Sequence, residues 1–190
     1  MRTSFAILLI VAAFGAASPL AAQEESTPHL DLYGGYYYVR FGVTANVPGF
    51  PASATFTANG GGGQLEYNAN RWLGIVGDLG GYYVATPPTA GAFSYLFGPR
   101  LHLGNKRVTP FVQTLFGGTL ATGGIGQVGA QNAFAMSAGS GFDVKVSRFV
   151  SIRPAQVEYF MTRFPDGLNN RQNNFRFGAG VVLRLNLARK

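Results

Sequence analysis

The chain contains no cysteine. That excludes a disulfide framework, a thiolate metal site, a cysteine nucleophile and a lipid-modified N-terminal cysteine. Charge is scarce as well: only 12% of the 190 residues are charged, against 47% that are hydrophobic. After residue 23 no fully apolar run reaches the roughly 18 residues of a spanning helix, which argues against a helical membrane protein. Histidine is confined to His29 and His102, and tryptophan to Trp72. Glycine, by contrast, supplies 27 residues, about twice the usual share, beside 16 Phe and 9 Tyr. That mixture suits neither disorder nor a coiled coil, and the length allows one domain. A net charge of +7 raises the question of a nucleic-acid partner, which the distribution of basic residues must answer.

The first 23 residues read as an export signal. Arg2 is followed by an apolar core from Phe5 to Ala17, then by Ser18-Pro19-Leu20-Ala21-Ala22-Gln23, with cleavage expected between Ala21 and Gln23 or just after. A spanning helix would need a longer core and would not carry Pro19. The mature domain is then 24–190, either soluble in the periplasm or folded into the outer membrane.

Beyond residue 28 the apolar residues recur with a period of two. From Phe175 the odd positions are Phe175, Phe177, Ala179, Val181, Leu183, Leu185 and Leu187, while the even ones include Arg176, Gly178, Gly180, Val182 and Arg184. A strand sends these sets to opposite faces. Phe134, Met136, Ala138, Ser140, Phe142 and Val144 likewise oppose Gly139, Gly141, Asp143 and Lys145, and Phe93, Tyr95, Phe97, Leu101 and Leu103 oppose Arg100 and His102. Such runs predict about eight strands: 29–41, 62–68, 72–84, 92–104, 108–120, 133–146, 150–163 and 174–187. Short turns, Asn68 to Arg71, Gly104 to Arg107 and Ser147 to Phe149, alternate with long connections at 42–61, 84–91, 121–132 and 164–173. This alternation is that of an all-β, eight-stranded antiparallel up-and-down transmembrane barrel with short periplasmic turns and longer external loops. Three places fit less well. Phe111 and Phe116 have opposite parity in strand 108–120; Arg153 is out of phase with Gln156 and Glu158, which predicts a bulge near Pro154; and Pro99 requires a bulge or a lost bond.

Which face is apolar decides the solvent. A soluble barrel encloses its apolar face around a ligand, whereas a membrane barrel turns it to lipid. Here the apolar face is bulky, and opposite it lie small residues and eight charges: Glu66, Asp78, Arg100, Asp143, Lys145, Glu158, Arg176 and Arg184. Four acids face four bases. An unpaired ion is costly to bury, so these eight are expected to form a lumenal ion-pair and hydrogen-bond network. Trp72, Tyr67, Tyr83, Tyr95, Tyr159 and the run Tyr36-Tyr37-Tyr38 fall toward strand ends, as interfacial aromatics do.

On these residues the chain resembles the small outer-membrane barrels of the OmpA and OmpX transmembrane type across 28–187. The likeness rests on LYGGYYYVRF at 32–41, LEYNANRWLGIVGDLGGYY at 65–83, VTPFVQTLFGG at 108–118 and the last strand. There Arg176, Gly178, Val181 and Leu183 are similar to an outer-membrane assembly signal, which implies the assembly machinery as a partner. The family usually ends on an aromatic, whereas this chain ends Leu187-Ala188-Arg189-Lys190.

Chemistry finds little support. A barrel-type lipid A deacylase needs a His and a Ser nearly adjacent on an outward face, but His102 is followed by Leu103-Gly104 and its parity turns it inward. His102 therefore reads as a lumenal hydrogen-bonding partner, and Glu66 and Asp78 as members of ion pairs, not as an acid and base. The run Gly60 to Gly63 lacks the following Lys and helix of a phosphate loop. No metal or cofactor site is expected. The basic residues are dispersed, Arg71, Lys106, Arg107, Arg148, Arg189 and Lys190 toward the periplasm and Arg40, Arg163 and Arg171 outside, so nucleic acid is not expected as a partner. Outer-membrane lipid and lipopolysaccharide phosphates suit them better. The sequence thus reads as a monomeric, non-catalytic outer-membrane barrel with a structural or surface-interaction role, loops 42–61 and 121–132 presenting any partner surface. The alternatives are a small-solute channel and a soluble lipocalin-like barrel carrying a lipophilic ligand.

Overall fold

Eight strands close into one antiparallel barrel. The computed structural model describes residues 29–47, 50–84, 90–104, 107–122, 130–165 and 170–186. The expected export segment 1–23, the basic residues Lys106, Arg189 and Lys190, and Leu187 lie outside the described residues. The strands are β1 His29–Val47, β2 Phe50–Asn68, β3 Leu73–Val84, β4 Ala90–His102, β5 Val108–Thr122, β6 Ala130–Lys145, β7 Val150–Thr162 and β8 Gln172–Asn186. Each pairs with its sequence neighbours, and β8 closes on β1 with register from His29↔Asn186 to Phe41↔Asn174. Closure leaves every strand with a partner on both sides over the barrel wall, the condition for placing a sheet in lipid.

The short turns have visible causes. Asn70 Oδ1 accepts hydrogen bonds from the backbone N–H groups of Trp72 and Leu73, both at 2.9 Å. Ser147 Oγ accepts from Phe149 and Val150 N–H at 3.2 and 3.1 Å. A short polar side chain thus satisfies the backbone where each hairpin reverses.

The longest departure from the sequence reading concerns 42–61. Apart from residues 48 and 49, which lie outside the described residues, that segment is strand and not loop. β1 and β2 stay in one unbroken register from His29↔Asn68 to Val47↔Phe50. Pairing overrides the loop-like composition, because once the hairpin is in register each further residue adds ladder bonds at little extra cost in chain closure.

The irregularities resolve individually. Along β5, Phe111, Gln113 and Leu115 are buried while Val112 and Phe116 are exposed, so its alternation is regular and Phe111 is an aromatic on the polar face. In β7 the register shifts between Arg153 and Gln156, one extra residue at Pro154, and this turns both Arg153 and Gln156 inward. At Pro99 the β4–β5 pairing lapses between Phe97↔Phe116 and Arg100↔Gln113 without changing register. The proline is accommodated by lost pairing, since it has no N–H to give.

Candidate functional site: the barrel lumen

All five carboxylates of the strands, Asp31, Glu66, Asp78, Asp143 and Glu158, are buried on the inner face. Two linked clusters gather most of them. Toward the short turns, Arg100 Nη1 donates to Glu66 Oε2 at 2.6 Å, and His102 Nε2 meets Glu66 Oε1 at 2.7 Å. Beside them Arg153 grips Asp143 with two donors, Nε to Oδ1 at 2.7 Å and Nη2 to Oδ2 at 3.1 Å. This fork is the strong bidentate form of a charged hydrogen bond. Phe111 lies within reach of both guanidiniums, 4.2 Å from that of Arg100 and 4.5 Å from that of Arg153 to its ring centre. An aromatic face next to two like charges offers each a partial negative surface in place of water.

The second cluster lies further toward the long connections. Arg176 donates to Glu158 at 2.6 Å, to Asp78 at 2.8 Å and to the Tyr82 hydroxyl at 2.7 Å. Tyr37 donates its hydroxyl to Asp78 at 3.0 Å, and Ser137 to Glu158 at 3.0 Å. Three glutamines join the clusters, Gln156 by accepting from Arg153 Nη1 at 2.9 Å. Gln64 donates to Asp78 at 2.8 Å and accepts from Arg100 and Arg153 at 2.5 and 2.6 Å. Gln113 accepts from Arg100 and donates to Glu158 at 2.7 Å. Val39, Ala58, Leu96, Leu115, Ala135, Tyr82 and Phe160 belong to one buried hydrophobic cluster, with buried Thr162 and Asn174 in register beside Ala135 and Phe160.

Of the eight lumenal charges expected from the sequence, six meet in these clusters: Glu66, Asp78, Arg100, Asp143, Glu158 and Arg176. Arg184 stands apart, half-buried, with Nε 3.4 Å from Asp31. Lys145 is a correction: it has inward parity, yet it ends β6 and is exposed to solvent. Sequence reading missed Arg153, Asp31, Gln64, Gln113 and Gln156. Asp31 was legible from parity, being two and six residues from Tyr33 and Tyr37 on the same face of β1. Tyr37 is a second correction. It is fully buried, between exposed Tyr36 and Tyr38, and so is not an interfacial aromatic. Its ring lies against Gly178, where an added Cβ would come within 2.8 Å, and against Gly62 on its other side. Gly178 therefore has a packing duty besides any part in an assembly signal, of which Val181 and Leu183 are exposed on the outer face. Among the described residues no group of three His, Asp or Glu side chains could hold a metal ion.

The outer face is the reverse of the inner one. Leu32, Leu65, Leu79, Phe93, Phe97, Phe116, Phe134, Phe175, Phe177, Val181 and Leu183 all point outward and exposed, Phe97 at 63%. This overturns the soluble alternative, a barrel around a lipophilic ligand, because the axis is occupied by ion pairs and the grease is outside. Three tyrosine–asparagine pairs lie on this face toward the long connections: Tyr36 with Asn59, Tyr95 with Asn132 and Tyr159 with Asn173.

No protein-family model matches the sequence, and no curated protein does. Solved structures do match. Neisserial surface protein A superposes with a TM-score of 0.61 at 12% identity, over 83% of this chain and 97% of that one. The chain has the fold of the small outer-membrane barrels. The attachment invasion locus protein of Yersinia pestis gives 0.54 at 14% identity, over 84% and 99% of the two chains. The N-terminal β-barrel domain of Pseudomonas aeruginosa OprF gives 0.54 at 12%, over 84% and 98%.

Proposed function

We propose that the protein is an integral outer-membrane barrel with a structural or surface-interaction role, its lumen closed by the ion-pair network. The observation that carries this reading is the reversal of faces: bulky apolar residues outside, every strand carboxylate inside. In water such a surface would drive aggregation; in hydrocarbon it is the ordinary exterior of a barrel. The likeness to Neisserial and Yersinia surface barrels supports the same membrane. Exposed Arg71, Arg107 and Arg148 flank the short turns and suit anionic headgroups of the inner leaflet, while Arg40, Arg163 and Arg171 suit lipopolysaccharide phosphates on the outer side. The assembly machinery would read the last strand, with Val181 and Leu183 on its lipid face. The barrel acts as a monomer in this reading, and no catalytic role is assigned to it.

Fractionation of expressing cells tests the reading directly. The protein should pellet with outer membranes and migrate faster on a gel before boiling than after. Recovery in the soluble periplasmic fraction, with no heat-dependent shift, refutes it.

A further inference from the structure

Glycine inside a strand weakens it, and it marks places where something approaches the backbone closely. The inward glycines of this barrel have such a neighbour within the chain: a Cβ at Gly62 would strike the Tyr37 ring, and one at Gly74 the Glu66 carboxylate. Five outward glycines have none. Gly34, Gly61, Gly63, Gly77 and Gly81 alternate with buried residues on β1, β2 and β3. No side chain from elsewhere in the chain comes within 4 Å of a Cβ built at any of them.

These five lie together, because Gly34 is in register with Gly63 and Gly61 with Gly81. Above them the outer wall is recessed. A groove of about 710 Å³ runs over Gly63 and Gly77 between Leu32, Leu65, Leu79 and Phe97. A second, of about 350 Å³, runs over Gly81 from Asn59 and Tyr83, and Gly61 lies between the two. From Asn59 to Leu65 the recess follows β2 for about 20 Å on a strand tilted by about 40°, hence about 15 Å along the membrane normal. That is half of a hydrocarbon core about 30 Å thick. Toward the short turns the wall becomes bulky again with Tyr67 and Ile75, which are in register.

The other end of the recess carries charge. Exposed Arg40 stands there, in register with Thr57, one outward position beyond Asn59. Every carboxylate of the strands faces the lumen, so among the described residues no acid neutralises this guanidinium. Asn59 accepts from the Tyr36 hydroxyl through Oδ1, which leaves its amide nitrogen for another acceptor.

From this we infer that the outer faces of β1, β2 and β3 bind one acyl chain of an outer-leaflet lipid, whose anionic phosphate head pairs with Arg40 and Asn59. The inference rests on the membrane reading above and names one occupant for one part of the wall. A chain lying over the glycines packs on backbone atoms, as small residues allow in membranes. The depth of one leaflet suits a single chain entering from the outer side. A second barrel would instead meet this wall over the full thickness of the membrane.

Native mass spectrometry of the purified barrel, released from an uncharged detergent with dimyristoyl phosphatidic acid added, tests this. One lipid should be retained per barrel. Gly77→Leu with Gly81→Leu fills the recess where an added Cβ meets no atom closer than 4.0 Å, and an intact heat-dependent gel shift confirms the fold. This filled variant and Arg40→Gln should each bind about tenfold more weakly. Ala138→Leu with Ser140→Leu, on the outer face of β6, should bind as the parent does. Glycerol 3-phosphate, a head without a chain, should not be retained, and dimyristoyl phosphatidylcholine, whose head has no net charge, should be retained more weakly. Equal retention by the parent and either the filled variant or Arg40→Gln overturns the inference, as does equal retention of phosphatidylcholine or uptake of many lipids without saturation. So does a lipid-free dimer that the filled variant abolishes, since the recess would then hold a second copy. Fractionation decides the membrane reading separately, so a barrel that pellets with outer membranes can still fail here.

Discussion

Arg176 donates to three lumenal partners from a fully buried position, so its removal leaves Asp78 and Glu158 facing each other without a cation. Breaking a buried pair from one side costs about 3–5 kcal/mol, because the charge left behind is uncompensated. Arg176→Met should therefore lower the temperature at which the compact gel form converts to the unfolded one by far more than Arg171→Glu. Arg171 is exposed, and a surface pair contributes only about 0–1 kcal/mol. Equal shifts for the two variants would mean that the buried cluster contributes nothing. Glycine offers a second contrast at this scale. A methyl at Gly35 would collide with the Tyr33 hydroxyl and the Ala179 carbonyl, whereas at Gly34 it would meet no atom within 4 Å. Gly35→Ala should cost about 1–3 kcal/mol by overpacking, and Gly34→Ala no more than about 0.5 kcal/mol, both read by urea unfolding in detergent. Single residues were the least legible part of the sequence. Parity finds Glu66, Asp78 and Arg176, but Tyr37 reads as an interfacial aromatic, and Phe111, of opposite parity to Phe116, leaves the two faces of β5 undivided. Inside this lumen the aromatic ring is a partner for arginine, as the 4.6 Å approach of Arg176 to Tyr37 illustrates.

At the scale of elements, β7 carries the most instructive irregularity. The extra residue at Pro154 lets Ser151 and Arg153 on one side, and Gln156, Glu158 and Phe160 on the other, all face the lumen. Without it a period of two would send one of these groups to the lipid face. Deleting Pro154 should turn Arg153 to the lipid face near its short-turn end or Gln156 and Glu158 further in, at a cost between about 1 kcal/mol at the interface and about 2–4 kcal/mol toward the midplane, while Pro154→Ala keeps the residue count and should cost far less. Gel-shift temperatures for the two variants decide it, and equal values would mean that the bulge has no role in phasing. The bulge itself was legible, because Arg153 broke the alternation that Gln156 and Glu158 obey. The ends of β1 and β2 were not legible. Gly, Pro, Ala and Asn between 42 and 61 carry loop composition, and only the partner strand, which no local window contains, holds them extended.

For the molecule as a whole, the two faces make a claim that side-chain accessibility can check without any function being known. Cysteines placed singly at 175, 177, 179, 181, 183 and 185 should be quenched by a lipid-borne probe, and those at 176, 178 and 182 should not. The opposite pattern would mean that the barrel is inside out. The same geometry determines transport. Eight strands enclose a space that side chains alone can fill, and here three guanidiniums, three glutamines and four carboxylates cross it, together with buried Val39, Leu115 and Phe160. A permeating ion would have to displace Arg176 from both Asp78 and Glu158. Purified barrel in a planar bilayer should accordingly pass little current. Steady, large unit conductance from the unmodified chain would show that the pairs open, and the closed-lumen reading would fail. If current appears only in Arg176→Met, the arginine is the plug, since shortening that one side chain leaves the wall of the barrel unchanged.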